Sequence, residues 1–315
     1  MRISIVLVSL GVACSSTDPG APLPDPLDPA ESVAVQTSCP APAPVSSTSV
    51  RVVNDVVYTT PDGQSQRLDI ARPAAGGVRP LVVLIHGGSW SFGSKTGLRA
   101  DMFDLAGRGY VAATIDYRLT SSPTNLFPAA VRDVRCAVRW LRSQQGTYGI
   151  DTANIAAAGF SAGGHLAAML GVNPADPRLD GDCAVGGDAS VDAVISYAGP
   201  QDLRVNGPYT EQQAAIVTNF LGAFPGDVPE LAALASPITA VSADDPPFLL
   251  IHGARDELVP PSQSQRMLTA LREVGGKATL LTLADLSHSY AGVTASHRGD
   301  VRCTSVAFLK RWLGN

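Results

Sequence analysis

Asn154-Ile155-Ala156-Ala157-Ala158-Gly159-Phe160-Ser161-Ala162-Gly163-Gly164-His165-Leu166-Ala167-Ala168-Met169-Leu170 is the stretch that decides the fold. Residues 154–160 are small, apolar and uncharged, which suits a short buried strand. Ser161 stands between Gly159 and Gly163, so the centre reads G-x-S-x-G. Residues 162–170 can continue as a helix. A serine on a sharp strand-to-helix turn has its hydroxyl pushed clear of the sheet. Side chains two positions to either side would collide in such a turn, and glycine avoids the collision. The helix that follows aims its N-terminal N–H groups at whatever the serine attacks.

The surrounding chain supplies alternating elements. A hairpin is expected from Val50–Thr59 and Gln66–Arg72 around the turn Pro61-Asp62-Gly63. Strands are expected at Leu81–Ile85, Val111–Asp116, Val191–Tyr197, Pro247–Ile251 and Ala278–Leu283. Helices are expected at Leu98–Gly107, Pro128–Arg142, Pro260–Val274 and His297–Trp312. In the second of these, Val131, Val134, Ala137, Val138 and Leu141 fall on one face. Apolar strands alternating with helices imply an α/β fold with a mostly parallel central sheet covered on both faces. The pattern breaks between Gly199 and Pro246, where Glu211–Phe220 and Pro229–Leu234 read as short helices of a small insertion over one end of the sheet. Ligands of open α/β sheets bind at that end.

Three further segments carry chemistry. His86-Gly87-Gly88-Ser89-Trp90 directly follows the strand Leu81–Ile85. Acyl transfer through a serine creates an oxyanion that needs fixed backbone donors. The N–H groups of Gly88, Ser89 and Ala162 are the expected oxyanion hole. The serine also needs a base. Of the five histidines, His288 lies just past the last strand, whereas His86, His165, His252 and His297 read as structural or surface residues. The base needs a carboxylate to fix its tautomer. Asp256 is the expected partner, with Glu257 the nearest alternative and Asp202 a more distant one. The order Ser161, Asp256, His288 then matches that of known serine hydrolases.

The chain from about Val50 to Asn315 resembles α/β-hydrolase esterases of the hormone-sensitive-lipase-like group. The resemblance points towards bacterial carboxylesterases of the acetyl-xylan or feruloyl esterase type. It rests on His86–Trp90, Asp116-Tyr117-Arg118-Leu119, Phe127-Pro128, Gly159–His165, Tyr197-Ala198-Gly199-Pro200, Pro246–Leu249, His252–Asp256 and His288. The chain departs from the group at Ser89, where a third glycine is common, and at Ser289, where many relatives carry glycine. The resemblance implies an α/β-hydrolase fold with the insertion before the catalytic Asp strand. It implies a serine carboxylesterase with Ser161, Asp256 and His288 catalytic and neither cofactor nor metal. Asp116 and Arg118 are expected to be a fold-supporting pair. A small insertion suits short, acetyl-like acyl groups, such as those on plant polysaccharide. Two other readings remain open. One is an amide-cleaving relative of the kynurenine formamidase kind; the other is a catalytically dead binding module.

The N-terminus reads as an export signal. Met1-Arg2 precedes the apolar run Ile3–Ala13, too short to span a bilayer, and then Cys14-Ser15. Cys14 is placed as in a bacterial lipoprotein signal, although Gly11 stands where a large aliphatic residue is preferred; a plain secretory signal is the alternative. Residues 15–49, rich in Pro, Ala and Ser, are expected to be a disordered linker, leaving 50–315 as the catalytic domain. Cys39, Cys136, Cys183 and Cys303 permit two disulfides, or Cys136 and Cys303 are buried thiols. A formal charge of −5 without a basic patch excludes nucleic acid as a partner. The expected partners are a small-molecule or polysaccharide-linked ester and a membrane met only through Cys14, with the chain a monomer.

Overall fold

The computed structural model describes residues 49–120, 125–172, 175–181, 183–204, 210–288 and 295–314. The expected export signal with Cys14, the linker up to residue 48, Cys39 and Ser289 lie outside them. In chain order the elements are β1 (Val50–Thr59), β2 (Gln66–Pro73), β3 (Arg79–Ile85), α1 (Arg99–Gly107), β4 (Val111–Ile115), α2 (Ala129–Ser143), α3 (Gln145–Tyr148) and β5 (Ile150–Phe160). They continue as α4 (Ala162–Val172), β6 (Ala193–Tyr197), α5 (Glu211–Leu221), α6 (Pro229–Leu234), β7 (Phe248–Gly253), α7 (Ser262–Glu273), β8 (Ala278–Leu283) and α8 (Ala295–Leu313). Strand β5 starts at Ile150 rather than Asn154, because Ile150 and Asp151 pair with Arg79 and Pro80 of β3. The single turn α3 was not expected from the sequence. It is closed by Gly149 in the left-handed region.

The eight strands form one sheet in the order β1-β2-β4-β3-β5-β6-β7-β8. Only β2 runs against the others: it is antiparallel to both β1 and β4, and every other neighbouring pair is parallel. The chain leaves β3 to form β4 on one side and returns past it to form β5 on the other. The C-terminal ends of β3 and β5 therefore flank a topological switch point, where α/β sheets open a crevice. Ile85 and Phe160 end these two strands. The segment His86–Trp90 and the turn at Ser161 thus leave the sheet side by side.

Alternation along each strand divides the core in two. On one face Val83, Ile85, Ala157, Val194 and Leu250 pack with α2, α4 and α5. On the other, Val82, Leu84, Ala158, Ile195 and Leu249 pack with α1 and α8. The stripe Val131, Val134, Ala137, Val138 and Leu141 of α2 is fully buried, as its spacing requires. Every residue of α4 is buried, which explains why this helix is apolar all round apart from His165. Cys136 of α2 is bonded to Cys183, and Cys303 is also disulfide-bonded. The buried-thiol reading of Cys136 and Cys303 is therefore overturned.

Asp116 and Arg118 both support the fold, but not as a pair. Asp116 Oδ1 accepts the Lys95 N–H at 2.7 Å. Arg118 instead forks onto the buried Asp133 of α2, Nε to Oδ2 at 2.9 Å and Nη2 to Oδ1 at 2.9 Å, and also reaches the exposed Asp62. The sequence placed the two side chains close together, but each is claimed by a group from a distant part of the chain, Asp116 by the Lys95 N–H and Arg118 by Asp133 of α2. Removing one partner of a buried ion pair strands the other charge. Asp133→Ala should therefore destabilise the protein by about 3–5 kcal/mol in denaturant unfolding. Asp62→Ala, on the exposed arm, should cost less than about 1 kcal/mol. Equal costs would show that Arg118 is not held from the buried side.

Candidate active site

Backbone crowding fixes the position of Ser161. A Cβ on Gly159 would lie 2.2 Å from Gly163 O, and one on Gly163 would lie 2.0 Å from Ile85 O. Only glycines let β5, α4 and the end of β3 approach this closely. Ser161 itself takes φ 55°, in the left-handed region, and its N–H is held by Tyr197 O at 2.8 Å. Such strain persists only where surrounding structure over-determines it.

The three separated candidates meet at this turn. Ser161 Oγ–H donates to His288 Nε2 at 2.9 Å, and His288 Nδ1–H donates to Asp256 Oδ2 at 2.7 Å. The other carboxylate oxygen of Asp256 accepts the N–H groups of Leu258 at 3.0 Å and Val259 at 2.8 Å. Burial pushes the Asp256 carboxyl up, but hydrogen bonds from His252, His288 and Val259 outweigh it and hold it at about 2. Neither alternative carboxylate takes this place. Glu257 offers its carbonyl to Gln213, and Asp202 is occupied by Arg204 and Arg266.

The expected oxyanion donors lie on two strained pieces of backbone. Gly88, Ser89 and Trp90 all have positive φ, at 122°, 49° and 58°. Ser89 thus adopts the conformation that a glycine would take freely. Ala162 is the first residue of α4, so its N–H has no acceptor within that helix. Ser89, Ser161 and Ala162 line one cavity of about 610 Å³. Ile216 and Val217 of α5, with Leu258 and Val259, supply apolar walls. The predicted insertion therefore covers the site.

The loop after β4 braces the loop after β3. Tyr117 O–H donates to His86 O at 2.9 Å, and its ring stacks on His86 at 4.3 Å. The N–H of Thr120 donates to Trp90 O at 2.9 Å. Trp90 then stacks on Phe220 of α5 at 4.1 Å and donates its indole N–H to His165 Nδ1 at 3.2 Å.

Two histidines that read as structural have sharper tasks. His165 is fully buried and donates from Nε2 to Ala235 O at 2.8 Å, so it stays neutral and accepts from Trp90. His252 accepts from Ser264 Oγ–H at 2.7 Å. Its Nε2–H lies 2.8 Å from Val259 O and 3.2 Å from Asp256 Oδ2. Asp256 is thus gripped by two imidazoles. His252-Gly253-Ala254-Arg255-Asp256 held this signal as a four-residue spacing across a strand end, but spacing alone could not show that the chain doubles back.

Comparison with known proteins agrees with this architecture. The fold and the serine at the switch point define an α/β-hydrolase. Residues 68–271 match the BD-FAE family, and the chain belongs to that family of α/β-hydrolase esterases. The chain is similar to "Esterase LipC" of Mycobacterium tuberculosis, with 34% identity over 260 residues that cover 79% of this chain and 63% of that protein. It spans 50–63% of the length of the three mycobacterial relatives it resembles. A truncated carbohydrate esterase from gut microbiota superposes with a TM-score of 0.71 at 26% identity, over 86% of this chain and all of that one. The esterase Est2 of Thermogutta terrifontis gives a TM-score of 0.69 at 26% identity, over 84% of this chain and 92% of that one.

Burial holds the His165 imidazole down at about 4, well below its usual 6.5. The unfolded chain therefore takes up a proton first as pH falls. The His165 contribution to stability should be lost between about pH 6.5 and pH 4, about 3 kcal/mol in total, whereas that of the depressed Asp256 carboxyl is lost only below about pH 4. The pH dependence of the unfolding free energy in this window should flatten in His165→Gln. An unchanged slope would show that other groups carry the acid sensitivity.

Proposed function

We propose that the protein is a serine carboxylesterase acting on short-chain, acetyl-like esters, including esters carried by plant polysaccharide. The observation that carries this reading is the continuous relay Ser161 Oγ–His288–Asp256 beside a cavity. Ser161 Oγ attacks the ester carbonyl while its proton passes to His288 Nε2. The negative charge that forms on the carbonyl oxygen is met by the N–H groups of Gly88, Ser89 and Ala162. Collapse of the intermediate breaks the C–O bond, and His288 returns its proton to the departing alcohol. The acyl group remains on Ser161. Water then attacks, giving its proton to His288, and the acid leaves. Asp256 keeps Nδ1 protonated throughout, so that Nε2 remains the basic nitrogen. The apolar side chains around a cavity of about 610 Å³ suit the uncharged part of an ester.

Hydrolysis of p-nitrophenyl acetate, butyrate and decanoate tests this directly. Acetate or butyrate should be preferred, and Ser161→Ala should lower kcat by a factor on the order of 10⁴ or more. Rates rising steadily towards decanoate would overturn the acyl preference. Activity surviving in Ser161→Ala would overturn the mechanism.

The proposed enzyme is exported and tethered to the bacterial cell envelope through a lipid on Cys14. The Cys136–Cys183 disulfide supports export, since such bonds persist in oxidising compartments. Metabolic labelling with a fatty-acid analogue should mark the wild type and not Cys14→Ser. An unlabelled wild type would favour a plain secretory signal.

A further inference from the structure

The cavity over Ser161 is mostly apolar, yet one part of it carries three charges that the proposed reaction does not use. Asp202, Arg204 and Arg266 all line it. The Asp202 carboxylate is 1% exposed. It accepts from Arg204 Nε at 2.9 Å and Nη2 at 2.8 Å, and from Arg266 Nη2. Its place is fixed from behind: Gln263 of α7 takes the Asp202 N–H on Oε1 at 2.7 Å and gives its own Nε2–H to Asp202 O at 3.0 Å. Burial pushes the Asp202 carboxyl up, but the hydrogen bonds and charges of the arginines hold it below the usual carboxylate range, so it remains ionised.

One carboxylate neutralises one guanidinium. Two arginines around one aspartate leave a net positive charge in the cavity, and no other Asp, Glu, Lys or Arg lines it among the described residues. The two arginine side chains are about two-fifths exposed, at 39% and 40%, whereas the aspartate side chain between them is buried. The aspartate therefore acts as a fixed anchor that holds the cations at the cavity wall. Arg266 is tied through Nη2 alone; its Nε and Nη1 have no protein partner among the described residues. A planar fork with donors to spare matches a carboxylate.

Resting on the esterase reading, we propose that Arg266, with Arg204, recognises a carboxylate on the substrate, so that the preferred ester bears a negative charge in its acyl or its alcohol part. The neutral apolar walls then take the uncharged chain between the ester and that carboxylate.

Paired substrates test the proposal in the intact protein. Monomethyl succinate against methyl butyrate places the charge on the acyl side. 4-Acetoxybenzoate against phenyl acetate places it on the alcohol side. In one of the two pairs kcat/KM should favour the anionic ester by about fivefold or more, a modest factor because the arginines are partly solvated. That ratio should fall towards one in Arg266→Gln and be partly kept in Arg266→Lys. Arg204→Gln gives a second reading should Arg266→Gln fail to fold. Binding of the same compounds to Ser161→Ala, followed by ligand-observed NMR, reads the subsite without turnover. A carboxylate preference in binding with no hydrolysis by the wild type would sink the esterase reading and leave the subsite standing. Turnover of neutral and anionic esters at equal kcat/KM, or a preference that survives Arg266→Gln, would overturn the proposal.

Discussion

The close contact of three backbone segments at Gly159, Gly163 and Ile85 O is the constraint on which the rest of the molecule depends. It joins the ends of β3 and β5 at the switch point and leaves no room for a Cβ. The strain at Ser161 is one result. Another is that the His86–Trp90 loop must leave β3 directly beside the serine. The left-handed run at Gly88, Ser89 and Trp90 turns that loop back over α4. Tyr117 and Thr120 from the next strand's loop then hold it there. The chemistry is therefore built from backbone geometry first, and the ionisable side chains arrive at a surface that is already shaped.

Those side chains come from the far half of the chain, and each is fixed by more than one contact. Asp256 receives two backbone N–H groups on one oxygen and two imidazoles on the other. Its low pKa is thus a consequence of ordering rather than of exposure. His165 and His252 each give one N–H to a carbonyl and accept on the other nitrogen. Each takes the role that its neighbours dictate, which residue type alone does not reveal.

Much of this was legible in the sequence because the deciding signals are local. The β-branched and apolar runs located the strands, and the stripe from Val131 to Leu141 located α2. G-x-S-x-G located the elbow through sterics that act within a few residues. What was not legible depends on distant approach. Arg118 finds Asp133 and Asp62 instead of Asp116, since helix α2 and the β1–β2 turn converge on it only in the folded chain. Asp202, read as a remote alternative to Asp256, serves instead as an anchor for Arg204 and Arg266. Arg266 lies on α7, and no pattern in the sequence marks it as lining the cavity over Ser161. Cys136 could be a thiol or half a bridge until Cys183 was placed beside it.

The Cys136–Cys183 bond closes a ring across a sequence separation of 47 residues, and β5, Ser161 and the whole of α4 lie inside that ring. Closing a loop of this length removes chain entropy from the unfolded state worth about 4 kcal/mol. The bond therefore favours the whole folded state, and the strained nucleophile turn lies within the ring it closes. The redox state of the compartment sets how firmly that fold is held. In a reducing cytosol the elbow would have to bear its strain without the staple, so the chain reaches its full stability only after it has been oxidised.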